Sequence, residues 1–150
     1  MTTLHTTPSI WIAGKESKQV QSLIHRIAHF AQGHELDESE LSCFRERVLH
    51  DVGTHATAWL VVTNESRWTP ELVQLADQCR EINSGFRCLV LAPLKAWNGE
   101  SKKVWPEDTL YIDSDSLSTT VIDRLRSETH ANRIASLRRR HIEGLQKRLA

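Results

Sequence analysis

Three short, nearly continuous apolar runs stand out along the chain: Ile10-Trp11-Ile12-Ala13, Ala58-Trp59-Leu60-Val61-Val62 and Phe86-Arg87-Cys88-Leu89-Val90-Leu91. Runs of this length without polar alternation predict strands buried on both faces, as in a parallel sheet. Between the second and third, Thr69-Pro70 opens a segment in which Leu72, Leu75, Ala76, Cys79 and Ile82 recur at helical spacing. Residues 57–93 therefore read as strand, helix, strand, with a right-handed crossover. A fourth apolar run, Leu110 to Ile112, predicts a last strand.

The intervening polar stretches carry helical periodicity. Val20, Leu23, Ile24, Ile27 and Ala31 share one side of a predicted helix over 16–32, ended by Gly33. Leu41, Phe44, Val48 and Val52 do the same over 37–52, with Asp37 or Ser39 as cap, and Leu117, Val121, Ile122 and Leu125 over 116–128. Between the first two helices, His34-Glu35-Leu36 leaves room for at most a very short strand. The expected architecture is a three-layer α/β/α sandwich with four or five mostly parallel strands over 10–128. A flexible segment, 1–9, precedes it, and a basic amphipathic helix, 129–150, follows. Trp59, Val61, Leu89 and Leu91 are expected among the most buried residues.

At 150 residues, with 39% hydrophobic and 25% charged residues, the chain can bury a core without disulfides or metals. No apolar run is long enough to span a membrane, and Met1 to Ser9 lacks the basic start and apolar core of a signal peptide, so a cytoplasmic location is expected. Cys43, Cys79 and Cys88 are odd in number and lie in mostly apolar patterns, which points to buried thiols. His25 and His29 have the i,i+4 spacing of a metal pair but no recognisable third ligand, so neither a metal nor a cofactor is expected. Net charge is zero, yet residues 124–150 carry eight Arg or Lys against two Glu, a net of +6, leaving −6 on the first 123 residues. Such asymmetry suggests either a polyanion partner for the tail or attraction between the tail and the acidic body of the chain.

The order of elements, and the stretch AWLVVTNESRWTPELVQLADQCREINSGFRCLVLAP in particular, resembles the third strand, third helix and fourth strand of response-regulator receiver domains. The likeness runs loosely from Ile10 to Ser127 and implies a flavodoxin-like, receiver-like fold. The chemistry of that family does not map onto this chain. Its magnesium-holding acidic pair after strand one would fall on Gly14 and Lys15, its phosphoacceptor on Thr63 followed by Asn64. The hydroxyl residue ending strand four would be Ala92, and the lysine ending strand five is replaced by the region of Asp113. Aspartyl phosphorylation needs a carboxylate nucleophile, a divalent cation and a lysine, and threonine supplies none of these roles. The resemblance thus implies a pseudo-receiver: a non-catalytic signalling or regulatory interaction module.

A second reading places a small-molecule site, for an anionic or nucleotide ligand, at the carboxyl edge of the sheet. Arg67, Trp68, Lys95, Trp97, Lys102, Lys103 and Trp105 lie in loops assigned to that edge, and aromatic faces with cationic neighbours suit a planar phosphorylated molecule. The plainer alternative is that the tryptophans lid the core and the lysines are solvated. No Walker loop, dinucleotide fingerprint or nucleophile elbow occurs. In the tail, Ile134, Leu137, Ile142, Leu145 and Leu149 cover an arc of about 140°. Five such side chains call for a covering surface, so a homodimer or another regulatory protein is the expected partner. Sustained heptads and a DNA-binding motif are absent.

Overall fold

The computed structural model describes residues 7–14, 17–37, 41–63, 69–92, 105–106, 108–113 and 118–149. Its elements run β1 (Ser9–Ala13), α1 (Ser17–Ile27), β2 (Gln32–Leu36), α2 (Leu41–Thr54), β3 (Ala58–Val62), α3 (Thr69–Ile82), β4 (Phe86–Ala92), β5 (Leu110–Asp113) and α4 (Ser118–Leu149). All five strands are parallel, in the order β2-β1-β3-β4-β5. This is the flavodoxin-like order. Ala58 pairs with Phe86 and Val62 with Val90, so the expected βαβ unit is present.

Alternation along the strands sorts the core into two layers. Trp11, Ala13, Leu60 and Val62 join Val48, Val52, Leu72, Leu75 and Cys79 on the side of α2 and α3. Ile10, Ile12, Trp59, Val61 and Leu89 face Val20, Leu23, Ile27, Val121 and Leu125 of α1 and α4. Trp59, Val61 and Leu89 are wholly buried and Leu91 nearly so. Each buried aliphatic side chain contributes about 1.5–3 kcal/mol, which makes this double layer the main source of stability.

Five expectations need correction. β2 is a full five-residue strand, and α1 stops at Ile27 instead of running on to Gly33. β2 lies at the sheet's edge and buries only Leu36 completely, so it lacks the apolar signature of a central strand. Its start is set by Gln32 N–H donating to the Pro8 carbonyl at 2.8 Å. Ile82 is 52% exposed at the end of α3, one turn past the last residue that reaches the core. Cys43 is exposed on α2, whereas Cys79 and Cys88 are buried. Burial pushes the Cys79 thiol up to about 12 and the Cys88 thiol higher, so neither is a nucleophile at neutral pH. Finally, the segment expected as a helix over 116–128 and the tail form one continuous 32-residue helix, because no glycine or proline interrupts it before Gly144.

Candidate functional site

In an open parallel sheet, ligands meet the carboxyl ends of the strands where strand order reverses. Here that switch point lies between β1 and β3, at Ala13 and Val62. Thr63, the position matching the receiver phosphoacceptor, is buried there. Its N–H and its hydroxyl both donate to the Ala13 carbonyl, at 2.9 and 3.1 Å. Gly14 presses against the same side chain: a Cβ added to it would stand 2.0 Å from Thr63 Oγ1 and 3.1 Å from Val20. Only glycine fits beside Thr63 as placed. Among the described residues this point does not suit a divalent cation, since Gly14 offers no side-chain ligand and the Thr63 hydroxyl is committed across the strands. The switch point is thus filled by an inter-strand clasp among the described residues.

The richest polar cluster lies at the opposite, amino edge, around Asp51 near the C-terminus of α2. The spacing Val48, Asp51, Val52, His55 carries the buried face of α2 to its end, so the carboxylate is turned inward. Ser9 Oγ donates to Asp51 Oδ2, and Trp11 Nε1 donates to the same oxygen at 2.8 Å. His55 Nδ1 donates to the Asp51 carbonyl at 2.7 Å, as does Thr54 Oγ1 at 2.9 Å, closing the helix end. Asn83 adds bonds from Nδ2 to the carbonyls of Val52 and His55, both at 2.8 Å. β1, α2 and the turn before β4 are joined through these few side chains.

Beside this corner, Trp11, His34, Glu46, Arg47, His50 and Asp51 line an open groove of about 480 Å³. His34 stacks on Trp11 with ring centroids 4.6 Å apart. Its Nε2 is buried without a hydrogen-bond partner, 4.0 Å from Asp51 Oδ2. Desolvation holds the His34 imidazole below its ordinary value, with Asp51 opposing that shift and His55 and Arg47 adding to it. Serine, aspartate and histidine meet here, but not as a catalytic relay. The aspartate stands between the other two, and Ser9 is wholly buried, so its hydroxyl cannot reach a substrate.

The third region is α4. Val121, Ile122, Leu125 and Thr129 are buried against the domain. Glu128 pairs with Arg87 of β4 at 3.5 Å and with Arg124 at 3.3 Å, while Asp108 takes Arg80 and, at 3.9 Å, Arg87. Arg126 donates to His29 Nε2 at 2.7 Å and lies over the Phe30 ring. This root is fixed on both flanks. From His130 onward no described side chain is buried, and Ile134, Ile142 and Leu145 are 38%, 53% and 43% exposed.

Of the carboxyl-edge loop residues, Arg67, Trp68, Lys95, Trp97, Lys102 and Lys103 lie outside the described residues. Trp105 belongs to the turn leading into the amino end of β5, where Thr109 N–H donates to the Pro106 carbonyl, and its ring is buried among the α2 and α3 core. Leu137 and Leu149 lie on α4, but their side chains are outside the described set. His25 and His29 are exposed, and His29 falls beyond the end of α1. No group of three or more potential metal ligands occurs among the described residues. The Asp51 corner is not among the sites that the sequence pattern marks. Its only signal was a carboxylate at a core-facing helical position.

No family model matches the chain, and no curated protein matches it. Among solved structures it is similar to a protein from Burkholderia pseudomallei described as pilus assembly-related, at 8% identity over 84% of this chain and 91% of that one, with a TM-score of 0.58. It is also similar to a protein from Burkholderia thailandensis described as a pilus assembly protein (cpaE), at 8% identity over 79% of this chain and 95% of that one, with a TM-score of 0.47. At such identity the first likeness speaks to the fold alone: this chain has a flavodoxin-like, receiver-like α/β fold with a five-stranded parallel sheet.

Proposed function

We propose that the chain is a regulatory module with a receiver-like fold that transfers no phosphoryl group and acts through contacts with other proteins. The observation carrying this reading is the clasp of Thr63 onto the Ala13 carbonyl with Gly14 packed against it. In a receiver, that point holds a carboxylate nucleophile and a cation. Here it holds a hydroxyl already engaged as a donor, in a space that admits no side chain at position 14. Among the described residues no base stands beside the Thr63 hydroxyl, which is then a poor nucleophile at neutral pH, and none would neutralise phosphoryl charge.

The solved neighbour described as pilus assembly-related lends its fold to this reading, not its partners. What remains for the module is surface, and its most conspicuous surface is the exposed half of α4. Incubation with acetyl phosphate and magnesium, followed by intact mass, tests the proposal. An unchanged mass is expected; an adduct of one phosphoryl group, about 80 Da, on this chain would overturn it by revealing the nucleophile excluded here.

A further inference from the structure

We infer that the distal half of α4 is a self-association surface whose occupant is the same half-helix of a second copy, packed antiparallel. This rests on the reading that the module works by protein contacts and names the partner. The first observation is angular. At 100° per residue, the buried Val121, Ile122, Leu125 and Thr129 centre about 160° around α4 from the exposed Ile134, Ile142 and Leu145. The exposed stripe therefore points away from the domain that carries it. The helix cannot roll to bring the stripe inward, because Glu128 ties its root to Arg87 of β4 and Arg126 ties it to His29 in the turn after α1. Residues 130–149 extend for about 30 Å.

The second observation is charge. Residues 124–150 carry a net +6 and residues 1–123 a net −6, so the complement of each tail is the body of this same chain. A tail whose stripe faces outward meets that complement in another copy. The third is register. An antiparallel pair crossing between positions 139 and 140 sets Ile134 opposite the partner's Leu145 and position 137 opposite the partner's Ile142. It also carries each tip, with Lys147, toward the partner's acidic domain. The arginines at 138–140 lie near the crossing point in either orientation, but a parallel pair would set Arg138 of the stripe against its own copy and bring the two Lys147 tips together, away from the acidic domains. Arg138 and His141 fall within the stripe and dilute it, so the expected dissociation constant is on the order of micromolar.

Sedimentation equilibrium of this chain from about 1 to about 200 micromolar is the test. The expected mass rises toward that of two chains, and the double substitution Ile142→Glu with Leu145→Glu weakens association at least tenfold while leaving the thermal midpoint of the domain unchanged. A chain monomeric throughout, or a double variant that associates as before, overturns the inference. Orientation is read in a Cys43→Ser background. A mixture of Ala131→Cys and Arg148→Cys chains should form disulfide-linked pairs far faster than either alone, and the reverse result would overturn the antiparallel arrangement. Vesicles containing phosphatidylserine that capture a monomeric chain through Ile142 and Leu145 would assign the stripe to lipid and also overturn it. Failure here leaves the phosphoryl-transfer result untouched, so the two readings fall separately.

Discussion

Two helices reach the amino edge of the sheet and behave there in opposite ways. α2 stops: Asp51, Thr54 and His55 fold its last turn onto Ser9 and Trp11, and Asn83 takes two of its final carbonyls. α4 passes the same edge and continues for some five further turns, with no described side chain buried beyond Thr129. The difference is one of residue type at the crossing point. α2 carries polar groups aimed inward, where their only satisfactory partners are backbone and buried side chains of the domain. α4 carries ion pairs that anchor its root and then an apolar stripe on its far side. One end is tied down by the domain, while the other leaves its described apolar side chains exposed.

The contrast can be broken most forcefully inside α4 itself. Leu125 is fully buried at the root, so Leu125→Ala is expected to cost about 2–5 kcal/mol in urea unfolding. Leu145→Ala, measured at concentrations that keep the chain monomeric, should stay within about 0.5 kcal/mol of the parent. Comparable losses at the two positions would mean that the distal half packs on its own domain.

A smaller effect sharpens the α2 side. His34 has a folded-state value below its ordinary 6.5, chiefly through desolvation, so the unfolded chain binds more protons than the native one in that window. Stability from the neutral, stacked His34 is therefore complete above pH 6.5 and is lost as pH falls through the lower folded value. The urea midpoint should decline with acid below pH 6.5, and His34→Gln should flatten that decline. A variant with an unaltered pH profile would remove His34 from the account.

Much of the fold was legible because the central strands must be apolar on both faces: β3 and β4 were bounded to within a residue by their runs alone. β2 was not, since an edge strand reading Gln-Gly-His-Glu-Leu buries one residue fully, and its glycine imitates a helix stop. The continuity of α4 was likewise hidden, as Asp113 to Ser116 marks a beginning but nothing near residue 129 marks an end. The Thr63 position was legible through its place after β3. Its clasp with Ala13 was not, because fifty residues separate the two in the chain. The Asp51 corner gathers residues 9, 11, 34, 51 and 55, and only the sheet brings them together.

The most direct test of the account is amide hydrogen exchange along α4 as a function of protein concentration. Amides from Val121 to Thr129, covered by the domain, should be equally protected at every concentration. Those from Ile134 to Leu145 should exchange freely in dilute solution and gain protection as the concentration rises through the association range. Distal protection that is strong and independent of concentration, or absent even when the protein is most concentrated, would contradict a helix with one half committed to its own core and the other to a second copy.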